Sequence, residues 1–185
     1  MSLMESTMVP LGTPCPDFTL PGVDGRLWSL RDFHCPALLV VVMCNHCPYV
    51  QAIDDRVDAL ARAYQGRCAV VGINANDAVT YPDDSFEAMR KRAAAKGYAF
   101  PYLWDEEQTV ARALGAVCTP DFFLYDSHRR LRYRGRLDDN WKDASRVTRQ
   151  ELGPPADVLG QGLRGHLVLV GRGRVAGELS QHLVE

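Results

Sequence analysis

Seven consecutive apolar residues, Ala37-Leu38-Leu39-Val40-Val41-Val42-Met43, run straight into Cys44-Asn45-His46-Cys47-Pro48. Beyond the proline, Val50, Ile53, Val57, Leu60 and Tyr64 recur at steps of three and four, with Asp54, Asp55, Asp58 and Arg62 off that stripe. The continuous β-branched run reads as a strand buried on both faces. The stepped pattern reads as an amphipathic helix, and Pro48 suits its first turn. A strand that must be covered on both sides, and that passes into a helix through two cysteines, points to an α/β domain whose sheet is roofed by helices.

The flanking sequence extends that pattern. Residues 17–20 and 27–30 alternate around Pro21-Gly22-Val23-Asp24-Gly25 and predict an N-terminal β-hairpin. Cys68–Asn74 predicts a second apolar strand. Asp84 and Glu87 read as a capping box for a helix through residue 95, with Gly97 as its stop. Residues 100–104 predict a short strand, and Asp105 and Gln108 cap a helix that ends at Gly115. Residues 121–125 and 130–134 form a closing hairpin. This order predicts a mixed central sheet flanked by helices within a domain of residues 10–152. A last helix is expected over 143–152, stopped by Gly153-Pro154-Pro155. Residues 153–185 form a tail whose structure the sequence does not set, with a strand expected over 166–170 and a helix over 175–183. Gly171-Arg172-Gly173-Arg174-Val175-Ala176 resembles a dinucleotide fingerprint, but too little chain follows before Glu185 for the rest of that unit.

Charge narrows the partners. With 21 basic and 23 acidic residues, no basic excess exists to hold nucleic acid or an anionic membrane. The longest apolar run is too short to span a bilayer. Neither class of partner is expected. Met1 to Val9 shows no basic region and no apolar stretch, so a secretory signal is not expected, and a cytoplasmic location with reduced thiols is.

Six cysteines stand at positions 15, 35, 44, 47, 68 and 118, and only Cys44 and Cys47 have a redox spacing. At a helix N-terminus, unpaired N–H groups and the helix dipole favour thiolate over thiol. Cys44 is expected to be the exposed, low-pKa nucleophile. Cys47 is close enough to attack a mixed disulfide formed there, and the two make a two-electron couple. Asn45 and His46 are auxiliary residues: a cationic His46 would support the Cys44 thiolate and make the couple more oxidising. Thr119-Pro120 precedes the strand at Asp121, where a proline removes a ladder donor. It makes sense there as a cis bond facing the dithiol and presenting backbone to a substrate. Cys118 beside it is either a buried hydrophobe or a third redox thiol. Cys68 reads as core, and Cys15 and Cys35 as peripheral. Arg134 and Arg136 read as solvated strand faces. Cys44, His46, Cys47 and Cys118 have metal-ligating chemistry, but the adjacency of His46 and Cys47 argues against one shared ion. Neither a metal nor another cofactor is expected.

Four segments carry a resemblance: Pro16-Asp17-Phe18-Thr19-Leu20, Cys44-Asn45-His46-Cys47-Pro48-Tyr49-Val50, Gly72-Ile73-Asn74-Ala75-Asn76 and Cys118-Thr119-Pro120-Asp121-Phe122-Phe123-Leu124. Over roughly residues 10–141 the chain resembles the thioredoxin superfamily. Within it, the chain is most similar to the redoxin branch of alkyl hydroperoxide reductase/thiol-specific antioxidant proteins and peroxiredoxin-like thiol–disulfide oxidoreductases. The resemblance implies a thioredoxin-like fold, Cys44 as attacking thiol, Cys47 as resolving thiol, and Thr119 and cis-Pro120 at the substrate. It also implies a disulfide- or thiol-containing protein or small molecule as substrate and an external thiol reductant. Peroxiredoxins carry a threonine three residues before the reactive cysteine. Val41 stands there, so disulfide exchange is expected ahead of peroxide reduction. Thioredoxins bury an acid in the strand before the motif. That strand is wholly apolar here, so a proton acceptor must come from elsewhere. The expected activity is thiol–disulfide exchange, with a peroxiredoxin-like antioxidant peroxidase or a non-enzymatic redox sensor or binding module as alternatives.

Overall fold

The computed structural model describes residues 9–152. The expected tail of residues 153–185, its strand and helix, and the glycine-rich motif at Gly171 lie outside the described residues. The elements, in chain order, are β1 (Thr19–Pro21), β2 (Leu27–Ser29), β3 (Ala37–Val42), α1 (Pro48–Ala63), β4 (Cys68–Asn74), α2 (Phe86–Lys96), β5 (Tyr102–Trp104), α3 (Thr109–Leu114), β6 (Asp121–Tyr125) and β7 (Leu131–Gly135). Strands β1 and β2 form the expected antiparallel hairpin. The other five make one mixed sheet in the order β5-β4-β3-β6-β7. β3 is central, parallel to β4 and antiparallel to β6.

The apolar run behaves as its sequence requires. Because side chains alternate across a strand, Leu38, Val40 and Val42 enter one core with Phe18, Leu20, Val110 and Leu114 from the hairpin and α3. Leu39, Val41 and Met43 enter the other with Val50, Ile53, Val57 and Met89 from α1 and α2. Every residue of β3 is buried, and each such side chain contributes roughly 1.5–3 kcal/mol of transfer free energy. The sheet can therefore not shift register by one residue without reversing both faces. Cys44 and Cys47 belong to the second core, beneath α1. Gly72 in β4 allows a close approach there: a Cβ would meet Met43 Sδ at 2.9 Å and Tyr102 at 3.1 Å.

Several expectations need correction. The predicted helix over 143–152 is only a single 3₁₀ turn, Ala144–Arg146. Asp143 accepts Ser145 N, and Asp139 accepts Thr148 N and Arg149 N. Such side-chain bonds occupy backbone donors that a helix would use. The capping box at Asp84 does not form. Helix α2 is capped by Ser85, whose hydroxyl accepts Ala88 N at 3.4 Å. Asp84 instead ends a 3₁₀ turn, Pro82–Asp84, and points inward. Cys15, expected at the periphery, is buried, and burial pushes its thiol up to about 12. Arg134 is buried too, with Nη2 2.8 Å from Asp121 and 2.6 Å from the carbonyl of Gly115. Among the described residues no helix is long and apolar enough to cross a membrane.

Candidate active site

Strand β3 ends at Val42, and two residues later Cys44 lies at the mouth of α1. Cys47 is the N-cap of that helix and Pro48 its first residue. Thr119 faces both sulfurs from the loop before β6: its hydroxyl oxygen is 3.2 Å from Cys44 Sγ, and its carbonyl oxygen accepts from Cys47 Sγ at 3.5 Å. The Thr119–Pro120 peptide bond is cis, as expected. Cys118 next to it is fully buried.

The two sulfurs share a hydrogen bond, and their surroundings differ. The bond to Cys47, burial and the charge of Asp84 all push the Cys44 thiol well above its ordinary value, against a smaller pull from Thr119. The bond from Cys44 draws Cys47 down; burial opposes this, and the backbone N–H groups of Val50 and Tyr49 and the Thr119 side chain add to it. This is helix N-terminal stabilisation acting on the cysteine that caps the helix. The two thiols are thus pushed in opposite directions, Cys44 up and Cys47 down, where the sequence suggested a lowered Cys44. Nor is Cys44 exposed: it keeps 1% of its surface and Cys47 keeps 3%.

What surrounds the dithiol is a buried acid that the sequence reading assigned to a helix cap. Asp84, with no exposed surface, receives Asn45 N at 2.5 Å and Asn74 Nδ2 at 3.1 Å on one oxygen. The other oxygen receives Asn76 Nδ2 at 3.0 Å and contacts His46 Nδ1. Asn76 Nδ2 also lies 3.1 Å from His46 Nδ1. The His46 ring stacks flat on Tyr81, with centroids 4.1 Å apart and planes within 1°. Asn45 is fixed as well: its Nδ2 donates to the carbonyl of Asp83, and its Oδ1 accepts from Tyr102 Oη. Gln51 in α1 donates to its carbonyl at 2.8 Å. His46 therefore faces a carboxylate, which offsets the positive charge expected to act on Cys44.

The sequence reading missed Asp84, Asn74, Asn76 and Tyr81. A signal for two of them existed: Asn74 and Asn76 bracket the end of an otherwise apolar strand, and buried amides require polar partners. The structure joins Cys44, Asn45, His46, Cys47 and Thr119 in one site. It also brings Cys44 Sγ, a His46 ring nitrogen and an Asp84 oxygen within 4.8 Å of one another. A cluster of these donor types has the chemistry to exchange disulfides, move protons between sulfur and imidazole, or hold a cation.

Two solved structures share much of the sequence. An uncharacterized conserved protein from Geobacillus kaustophilus is 45% identical, with 76% of each chain covered and a TM-score of 0.73. A hypothetical protein from Sinorhizobium meliloti 1021 is 46% identical, covering 78% of this chain and 80% of that one, also with a TM-score of 0.73. A secreted Mycobacterium tuberculosis disulfide oxidoreductase shares the fold at 17% identity, covering 62% and 79% of the two chains with a TM-score of 0.53. No curated protein matches the chain in sequence. The model of the AhpC/TSA family matches residues 11–134, spanning the hairpin, the dithiol, Asp84 and most of the sheet, and the chain belongs to the AhpC/TSA family, with a thioredoxin-like fold.

Proposed function

We propose that the protein is a thiol–disulfide oxidoreductase whose working couple is Cys44 and Cys47. The observation that carries this reading is the shared hydrogen bond between the two sulfurs at the N-terminus of α1, with Thr119 against both. Cys44 attacks a substrate disulfide, and its proton passes along the shared bond toward Cys47. A Cys44–substrate bond forms as the substrate's S–S bond breaks, and the first thiol leaves. Cys47 then attacks Cys44 Sγ, releases the second thiol and closes the Cys44–Cys47 disulfide. Two electrons have moved to the substrate. An external thiol reductant reverses the change. The exposed edge of the site is His46, whose side chain keeps 25% of its surface, so substrate enters beside it.

A second reading rests on one contact. Thr119 Oγ1 at 3.2 Å from Cys44 Sγ supplies a hydroxyl at the sulfur, although Val41 leaves vacant the position where peroxiredoxins carry theirs. Hydroperoxide would then convert Cys44 to a sulfenic acid, and Cys47 would condense on it with loss of water. Turnover of a small disulfide and of hydrogen peroxide, each coupled to the same thiol reductant, separates the readings. Disulfide turnover that disappears in Cys44→Ser, with peroxide consumed no faster than by an ordinary low-pKa thiol, is the expected result. Rapid peroxide turnover would replace the first reading with the second, and multiple turnover of neither would leave a redox sensor.

A further inference from the structure

We propose that, in the reduced protein, Cys44 Sγ, a His46 ring nitrogen and a carboxylate oxygen of Asp84 form a three-donor site for a thiophilic divalent cation of the zinc class. The proposal goes beyond disulfide exchange: it uses Cys44 of the same dithiol but not its reactivity. The sequence argument against an ion was that His46 and Cys47 are adjacent. Folding changes the donor set by delivering Asp84, 38 residues downstream of His46, to the same point.

The chemistry of the set is specific. Thiolate sulfur, imidazole nitrogen and carboxylate oxygen are the donors zinc takes in four-coordinate sites, at about 2.0–2.3 Å. Donors in such a shell stand about 3.3–3.8 Å apart. The three donor atoms lie within 4.8 Å of one another, with His46 and Asp84 in direct contact, so a separation of ring and carboxylate by about 1 Å and a similar approach of Cys44 form the shell. Three protein donors leave the fourth position of a tetrahedral shell to water.

The surroundings have the outer support a metal centre needs. Asn45 N and Asn74 Nδ2 fix one oxygen of Asp84, and Asn76 Nδ2 touches both the other oxygen and His46 Nδ1. Tyr81 holds the imidazole plane by stacking. Asn76 is 2% exposed, and its Oδ1 has no hydrogen-bond partner among the described residues. The cluster is therefore buried, polar and incompletely satisfied, with the partly exposed His46 at its edge. Exchange chemistry alone explains the two sulfurs. It can use one proton acceptor besides, whereas both a histidine and a fully buried carboxylate are held beside Cys44 by three amide donors.

Ion and disulfide exclude each other. When a substrate disulfide oxidises the pair, the Cys44–Cys47 bond forms, the substrate's S–S bond takes the two electrons and, with protons from Cys47 and solvent, becomes two thiols, and the cation loses its sulfur ligand and leaves.

The test uses the full chain, reduced, stripped with a chelator and kept anaerobic. Zinc ion alone is titrated against a chromophoric chelator. The expected result is one ion per chain, bound at least about tenfold more weakly by His46→Ala and by Asp84→Asn, more weakly still by Cys44→Ser, and released on oxidation to the disulfide. His46 is partly exposed, so its variant keeps the test valid should Asp84→Asn fold poorly. Equal affinity in wild type and His46→Ala would overturn the proposal, since a bare vicinal dithiol would explain the binding. Failure to retain zinc would overturn it too. Disulfide turnover by the metal-free protein, measured in parallel, separates this proposal from the functional one: turnover without zinc binding sinks only the cation site, and stoichiometric zinc binding without turnover sinks only the exchange reading.

Discussion

Asp54 and Asp84 both lack exposed side-chain surface, and they are neutralised in opposite ways. Asp54, in α1, meets Arg92 Nη2 at 2.5 Å, Lys96 Nζ at 3.1 Å and the Tyr98 hydroxyl at 3.0 Å. Two full positive charges from α2 hold it, and they reach solvent on their outer side. Asp84 meets two amides, one backbone N–H, one imidazole and, nearby, the Cys44 thiol. The first acid is a clamp between helices whose charge is fully answered inside the clamp. The second is met by neutral donors and an imidazole, and its charge joins the Cys47 bond and burial in pushing the Cys44 thiol up. A buried carboxylate that lacks a permanent cation is costly unless its neighbours or a ligand answer it. That difference separates a structural acid from one that serves a site.

The largest expected effect is on the clamp. Asp54→Asn strands Arg92 and Lys96 against a neutral amide and should cost about 3 kcal/mol of stability, read from the denaturant midpoint at constant slope. The dithiol's equilibrium with glutathione should not move. A comparable redox shift in this variant would erase the distinction between the two acids.

Asp84→Asn should show the reverse emphasis. Its stability loss should be about 1 kcal/mol, because the amide still accepts from Asn45 N. Removing the negative charge beside Cys44 favours the reduced, partly ionised pair over the disulfide. The exchange constant with glutathione should therefore shift about tenfold toward the dithiol, or about 30 mV. An unchanged constant would reduce Asp84 to a packing residue.

A third acid calibrates the scale. Asp139 is held down to about 2 by the Thr148 hydroxyl and by the N–H groups of Arg149 and Thr148, at the surface. Because its folded value is depressed, its contribution is present above the ordinary carboxylate value of 3.8 and is lost as pH falls through about 2. Trp141 lies in this loop, against Tyr49 with centroids 4.1 Å apart. Its fluorescence should change over that window, with little change in global helicity. A loss of global helicity in step with Trp141 would mean that the loop is not an independent unit.

How much of this was legible in the sequence follows from which interactions are local. The apolar run at 37–43 fixed the central strand because alternation across two faces is a short-range rule. The placement of two cysteines between that strand and a stepped helix located the dithiol for the same reason. Asp84 was illegible as a site residue, because Asp-x-x-Glu is a local capping signature. Its true partners lie on the loop before α1 and at the end of β4, a tertiary fact. The pair Asn74 and Asn76 was the available clue. Which of the two cysteines caps the helix is a similar tertiary detail: the cap is Cys47, and Cys44 lies beside Asp84. Residues 143–152 were misread because propensity is blind to Asp139 and Asp143 capturing backbone donors.

The most direct test of the central claim is to trap the intermediate. Reduced Cys47→Ser and Cys44→Ser proteins are mixed with oxidised glutathione, quenched with acid and mapped by mass spectrometry. The exchange mechanism predicts a glutathione mixed disulfide accumulating on Cys44 in the first variant, none on Cys47 in the second, and a Cys44–Cys47 disulfide in the wild type. A mixed disulfide confined to Cys47, or no internal disulfide in the wild type, would contradict it.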